Sequence, residues 1–202
     1  CYVLIDPIIY ESKTGEDNLA VVVVEVDTAR NIYVKRCISK RMSDKKLIEL
    51  LQKFYDSYRS DPRIQFLKFA MGEAAYQVKY KKYIEQEMRE SRIGFRIIGG
   101  PESTGRTKGQ HIASFAPFLE NGQVFFIIKD GFRAADIDAE NRSEVLKTLP
   151  GELRELYQSM EVYHPDSAEH DDAEDALAKI RHFIMRAKET QTVKMLGYVN
   201  QC

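Results

Sequence analysis

The sequence predicts an α/β protein built on a mixed β-sheet that is flanked by helices. Three apolar segments, residues 2–5, 19–26 and 32–38, follow one another with polar connections between them, as in an antiparallel meander. After them, helical and apolar segments alternate, and parallel strands need such helical crossovers. We therefore expect the fourth and fifth strands to join the first strand in one mixed sheet.

The first three strands are predicted from their residue types. Residues 2–5 are apolar and are followed directly by Asp6, which is unusual because an unpaired buried carboxylate is costly. A polar loop leads to residues 19–26, whose many β-branched side chains are typical of a central strand. A turn at 27–31 precedes the third strand over 32–38.

The later elements are predicted from helical spacing and from residues that begin or end helices. Ser43 occupies an N-cap position, and Asp61-Pro62 ends the first helical segment because proline cannot continue a helix. The predicted elements are a helix over 44–58, a strand over 64–71, a helix over 74–90, a strand over 95–98, a helix over about 107–120, a strand over 124–128 and an acidic helix over about 171–188.

Size and composition limit the classes of function. The 202 residues suffice for one large domain or two small ones, and the net charge of -1 provides no global basic field for nucleic acid. Nucleic-acid binding would therefore depend on local patches. No segment is long and apolar enough to span a membrane, and no signal peptide is visible.

The cysteines and the two chain ends give further expectations. Cys1, Cys37 and Cys202 are odd in number and far apart, which indicates neither a disulfide framework nor a zinc site and fits a reducing cytosolic compartment. Because the chain starts at Cys1, directly on an apolar strand, we expect a fragment of a longer protein. One domain is predicted over 1–190, and a poorly ordered polar tail over 191–202.

Three aspartates, Asp171, Asp172 and Asp175, lie within five positions at the start of the acidic helix. Residues three and four apart share a helix face, so their mutual repulsion must be relieved by solvent or by a cation. By itself the pattern fits a solvated first turn and a metal-ligand set equally well. Asp6 and Glu73 also stand at strand ends, where the ligands of such sheets bind, and this favours a metal site.

Four motifs occur in a characteristic order along the chain. They are Asp6 with the segment 17–21, Glu-Ala-Ala-Tyr-Gln at 73–77, Lys-Gly-Gln-His-Ile at 108–112 and His-Asp-Asp-Ala-Glu-Asp-Ala-Leu-Ala at 170–178. Over nearly its whole length the sequence resembles the nuclease domain of phage and herpesvirus-type terminase large subunits, a branch of the ribonuclease H-like fold. His111 stands where that family has arginine.

The resemblance implies a DNA endonuclease that cuts concatemeric viral DNA during genome packaging. Phosphodiester hydrolysis of this kind uses two divalent ions about 3.5–4 Å apart, Mg²⁺ or Mn²⁺, held by carboxylates. By this resemblance Asp6 bridges the ions, Glu73 holds one and Asp172 holds the other. Asp171 is the second choice for that last position, and Asp175 orients ligands or caps the helix.

The implied partner is double-stranded DNA, bound through phosphate contacts without sequence readout. Each basic side chain considered alone is better explained as a solvated charge, but as a group they flank the proposed acids and could form a groove for DNA. The candidate DNA-binding residues are Lys79, Lys81, Lys82, Arg106, Lys108 and His111, with Arg89 and Arg96 nearby. The resemblance also implies a preceding ATPase domain, portal and small terminase subunits as partners, and the host cytoplasm as the location.

Three other interpretations fit parts of the sequence. Junction resolvases and transposases share the fold and an acidic cluster, and a DNA-binding or portal-binding module would carry the same acids as structural residues.

Residues 100–107 have the spacing of a phosphate-binding P-loop, but Arg106 replaces its lysine and Pro101 removes a backbone donor. We interpret that segment as a loop.

Overall fold

A computed structural model of the chain describes residues 1–7, 18–72, 75–99, 108–126, 142–162 and 172–185. The strands in this part of the chain are β1 (Tyr2–Asp6), β2 (Leu19–Val26), β3 (Ile32–Lys40), β4 (Lys68–Met71), β5 (Ile97–Gly99) and β6 (Val124–Phe126). The helices are α1 (Asp44–Arg59), α2 (Ala75–Glu90), α3 (Lys108–Ala113), α4 (Ala116–Glu120), α5 (Arg142–Thr148), α6 (Gly151–Val162) and α7 (Asp172–Ala178).

The strands form one mixed sheet in the order β5-β4-β1-β2-β3-β6. The first three are antiparallel neighbours, β4 is parallel to β1, β5 is parallel to β4, and β6 is parallel to β3. The predicted meander and the predicted joining of the fourth and fifth strands to the first are both confirmed. This combination agrees with the mixed α/β sheet flanked by helices that the ribonuclease H-like resemblance implied.

The predicted start of the fourth strand was wrong. The fourth strand begins at Lys68 rather than at Ile64, because the Ile64 amide donates to the Asp61 carbonyl and keeps this part of the chain in a turn. Phe66 is 71% exposed, so the apolar character of this segment does not reflect burial in the sheet.

The predicted helix over 107–120 is divided into α3 and α4. Pro117 lies in the first turn of α4 and has no N–H to donate to the carbonyl of Ala113, the last residue of α3. The acidic helix is also interrupted: α7 ends at Ala178, residue 179 is in a turn, and helical structure resumes over 180–185. The tail over 191–202 lies outside the described residues.

Helices cover both faces of the sheet, because successive strand side chains point to opposite faces. One buried cluster joins alternate residues of β1 and β2 to α1 and α2, and includes Val3, Ile5, Val21, Val23, Leu47, Leu51, Ile84 and Met88. The other joins the remaining strand residues to α5, α6 and α7, and includes Leu4, Val22, Val24, Leu146, Leu153, Leu156, Ala176 and Leu177. In the described part of the chain, no helix has the length and hydrophobicity needed to cross a membrane.

Candidate active site

Asp6 is the last residue of β1, one of the two innermost strands of the sheet, and its side chain is buried. It pairs with Ala20 of β2, while Ile5 pairs with Met71 of β4. By strand alternation Asp6 shares its face with Leu4, which belongs to the cluster that contacts α7. The carboxylate therefore points toward the acidic helix from the carboxyl end of β1.

The Asp6 carboxylate is paired with a buried cation. The Lys179 ammonium donates to Asp6 Oδ1 over 2.7 Å, and only 5% of Lys179 is exposed. The Gln77 Nε2 amide, in the first turn of α2, donates to the same oxygen over 3.0 Å. These contacts explain how β1 can end in a buried acid, because an unpaired carboxylate there would be strongly destabilising.

Asp175 holds the other side of the same ammonium. Lys179 Nζ lies 3.1 Å from Asp175 Oδ2, and His111 Nδ1 lies 2.7 Å from Asp175 Oδ1. We call the set His111, Asp175, Lys179, Asp6 and Gln77 the buried network. It joins α3, α7, β1 and α2, so four elements that are distant in sequence are tied together at one edge of the sheet.

The charges of the buried network stabilise one another. Burial by itself would raise the pKa of the Asp175 carboxyl, but the hydrogen bond to His111 and the positive charge of Lys179 outweigh it and hold this pKa at about 2. Burial would lower the pKa of Lys179, and the negative charges of Asp6 and Asp175 outweigh that effect and raise it. Lys179 is therefore a charged ammonium at neutral pH.

The position of Gln77 depends on a glycine at the end of β4. A Cβ atom on Gly72 would lie 2.0 Å from Gln77 Oε1 and 2.9 Å from its Cδ. Such distances are far below van der Waals contact, so a side chain at residue 72 would force the Gln77 amide to move. The absence of a side chain at Gly72 thus allows Gln77 to contact Asp6.

Asp172, the first residue of α7, lies at the same edge of the sheet. Its Oδ2 accepts a hydrogen bond from the backbone N–H of Asn18 over 3.2 Å. Asn18 directly precedes β2, and Ala20, two residues further on, pairs with Asp6. Two carboxylates that the sequence singled out, Asp6 and Asp172, are therefore brought to one edge of the sheet by β1, β2 and α7.

The remaining predicted metal ligands, Glu73 and Asp171, lie outside the described residues. Within the described ranges, no group of three or more histidine, cysteine, aspartate or glutamate side chains is arranged to hold a metal ion. The ligand set predicted from the sequence therefore stays a prediction.

The candidate DNA-binding residues fall into three groups. Lys79 and Lys82 are exposed on α2, and Lys81 is half-buried there. Arg106 and the side chain of Lys108 lie outside the described part of the chain. His111 is half-buried and paired with Asp175, so the structure places it in the buried network. DNA contact by any of these residues stays a prediction.

Sequence reasoning missed Lys179 and gave Gln77 no role. Lys179 is four residues after Asp175, a spacing that predicts an ion pair on a helix, but its contact with Asp6 spans 173 residues. Gln77 belongs to the 73–77 motif and could have been proposed as a partner for an acid. Only the fold shows that this acid is Asp6.

The chemistry of the donor set fits a hard divalent cation. Asp6 and Asp172 provide carboxylate oxygens, which are the ligands that Mg²⁺ and Mn²⁺ prefer. Asp6 also contacts a buried cation, the Lys179 ammonium, so any metal ion at this edge of the sheet would share the Asp6 carboxylate with it.

No protein-family model and no curated protein sequence matches the chain. Among solved structures, the chain is similar to the yeast mitochondrial Holliday junction resolvase Ydc2, with a TM-score of 0.36 and 10% sequence identity over 94% of this chain and 85% of the resolvase chain. The mixed α/β sheet of this chain follows from the strand order described above.

Proposed function

We propose that this chain is a metal-dependent DNA endonuclease, and that it cuts concatemeric viral DNA as the nuclease domain of a terminase large subunit. The proposal depends on one observation: Asp6, Asp172 and the buried network lie at the same edge of the sheet, where β1 and β4 end. Buried carboxylates with charged partners are characteristic of functional sites. The order of the four sequence motifs supports the terminase assignment.

In the proposed reaction a water molecule attacks a DNA phosphate and the leaving oxygen is released. Asp6 and Asp172 would hold Mg²⁺ or Mn²⁺, together with Glu73 and Asp171, and the metal would supply the Lewis acidity that such hydrolysis needs. Lys179 and Gln77 fix the orientation of the Asp6 carboxylate, and His111 fixes that of Asp175.

The basic residues of α2 are proposed to contact the DNA backbone. Lys79 and Lys82 are exposed on the helix whose first turn carries Gln77, so their charges lie on an element that reaches the site. Contacts of this type position DNA without reading its sequence. The terminase role also implies a preceding ATPase domain, portal and small terminase partners, and a location in the host cytoplasm.

A cleavage assay tests the proposal. Purified protein is incubated with plasmid and linear duplex DNA in Mg²⁺ or Mn²⁺, with EDTA as the metal-free control. We expect cleavage by the wild type and a loss of about 100-fold or more in Asp6→Asn and Asp172→Asn, since even residues that only support metal ligands cost ~10–100-fold. Asp27→Asn is the matched control, because the hydrogen bonds of Asp27, including those from Asn31 and Tyr33, lie beyond the far end of β2.

The same assay separates the proposed function from its rivals. A four-way DNA junction is included beside the linear duplex. A strong preference for the junction would favour a resolvase over a terminase nuclease. DNA binding by the wild type without cleavage would instead indicate a non-catalytic binding module. Equal cleavage by the wild type and Asp6→Asn would refute the site.

A further inference from the structure

Resting on the proposed function, we propose that the Lys179 ammonium takes the place of one of the two divalent cations. The site would then bind a single Mg²⁺ or Mn²⁺ ion per chain, with Lys179 as a built-in second cation. This differs from the two-ion arrangement that the sequence resemblance implies. The inference depends on where the ammonium lies and on what holds it there.

The first argument concerns Asp6 Oδ1. A carboxylate that bridges two ions offers one oxygen to each, but Oδ1 already accepts from Lys179 Nζ at 2.7 Å and from Gln77 Nε2 at 3.0 Å. Two donors match the usual capacity of one carboxylate oxygen. A metal ion at Oδ1 would therefore have to displace Lys179 or Gln77.

The second argument concerns how firmly the ammonium is held. Lys179 is buried, and its second partner, Asp175, is itself held by His111 on α3. Removing the ammonium from its position would leave Asp6 and Asp175 buried without their common cation, which is strongly unfavourable. Lys179 is thus a fixed part of the site rather than a surface side chain that could move aside for a metal ion.

The third argument is electrostatic. A positive charge at Asp6 Oδ1 repels a divalent ion at the same oxygen, and the repulsion is strong where water is excluded. The ammonium also neutralises part of the negative charge that would otherwise hold metal ions. Both effects reduce the number of divalent ions that the site can bind.

Counting bound Mn²⁺ ions tests the inference. Calorimetric titration and the electron paramagnetic resonance signal of free Mn²⁺ give the number of ions bound per chain. We expect one ion in the wild type and in Lys179→Arg, which keeps the charge, and two ions in Lys179→Met, which removes it. The cleavage rate should correspondingly change from first-order to second-order dependence on free Mn²⁺ in Lys179→Met.

Lys35→Met is the matched control, because Lys35 also pairs with an acid, Glu25, but does so on β3, away from the network. Its ion count should equal that of the wild type. Two ions in the wild type, or one ion in folded Lys179→Met, would overturn the inference. If Lys179→Met does not fold, as judged by circular dichroism, the counts for the wild type and Lys179→Arg decide.

The result also distinguishes this inference from the proposed function. Cleavage with two ions bound to the wild type would overturn the role of Lys179 and leave the endonuclease proposal standing. A wild type that binds no Mn²⁺ and cuts no DNA would refute the endonuclease proposal, and the inference would fail with it.

Discussion

At the scale of single residues, the buried network concentrates the charges at the end of β1. Lys179 contacts two carboxylates and is almost fully buried. In such a pair the Coulomb attraction offsets the cost of removing charges from water, so the pair itself need not stabilise the fold. Removing one member has a large effect because the remaining charges stay buried without a partner.

Replacement of Lys179 by methionine is therefore expected to destabilise the protein by about 3–5 kcal/mol in the absence of metal, as for other broken buried ion pairs. Lys35→Met should cost less than about 1 kcal/mol, because the Lys35–Glu25 pair is longer, at 3.5 Å, and more exposed. Urea unfolding in EDTA measures both free energies of unfolding. Similar losses in the two variants would contradict the importance assigned to the buried network.

The pKa of Asp175 leads to a prediction about acid stability. It is about 2 in the folded protein, against about 4 in an unfolded chain. Because the folded pKa is the lower one, this contribution, about 2.5 kcal/mol in all, is complete above about pH 4 and is lost as the pH falls toward 2.

The free energy of unfolding of Asp175→Asn should consequently fall less than that of the wild type on acidification, by about 1 kcal/mol between about pH 5 and about pH 3. Urea titrations in EDTA at the two pH values measure this difference. Parallel losses of stability in both proteins would show that Asp175 does not titrate as described.

At the scale of elements, the junction of β4 and α2 positions the partner of Asp6. β4 ends at Met71, and Gly72 leaves room for the Gln77 side chain from the first turn of α2. The short connection and the missing side chain together bring the Gln77 amide to Asp6. The junction thus explains why a glycine is needed at the end of this strand.

Gly72→Ala is predicted to push the Gln77 amide away from Asp6, because the added Cβ would lie 2.0 Å from Gln77 Oε1. We expect Mn²⁺ affinity or cleavage to fall by about 10–100-fold, the usual effect of losing a partner of a metal ligand. Gly94→Ala is the control, since a Cβ there meets nothing within 4 Å.

A double-mutant cycle makes this prediction sharper. Adding Gln77→Ala to Gly72→Ala should cause little further loss, because both changes remove the same hydrogen bond. Independent, additive losses from the two substitutions would show that Gly72 acts in some other way.

At the scale of the whole molecule, one sheet supports two helix layers, and the layer that contains α7 carries most of the site. α1 and α2 pack on one face, and α5, α6 and α7 pack on the other. Asp172 and Asp175 are on α7, which packs directly against β1 and β2. The layer that contains α7 therefore positions the site as well as burying apolar surface.

Two core substitutions separate these tasks. Leu51 on α1 and Leu177 on α7 are both fully buried, so Leu51→Ala and Leu177→Ala should each destabilise the fold by ~2–5 kcal/mol. Only Leu177→Ala should also weaken Mn²⁺ binding under conditions where both variants remain folded. Unfolding curves and Mn²⁺ titrations measure the two effects, and equal weakening of Mn²⁺ binding would count against this division.

The sequence alone determined the order of elements and the class of fold. The hydrophobic periodicity of a strand or helix and the residues that cap it lie at neighbouring positions and can be recognised there. The β-branched residues of β2, the N-cap Ser43 and the alternation of helix and strand after β3 predicted the mixed sheet. Prediction from local patterns was wrong where a single residue interrupts an element, as Pro117 interrupts the helix predicted over 107–120. It also failed between residues 64 and 68, where apolar residues follow a turn.

The candidate site was determined only in part by the sequence. The motifs identified Asp6 and Asp172 as acids at element ends, and the structure brings both to one edge of the sheet. Tertiary structure alone decided that Lys179 contacts Asp6 across 173 residues of chain. Such a contact depends on how β1 and α7 pack, and no local pattern of residues encodes that distance.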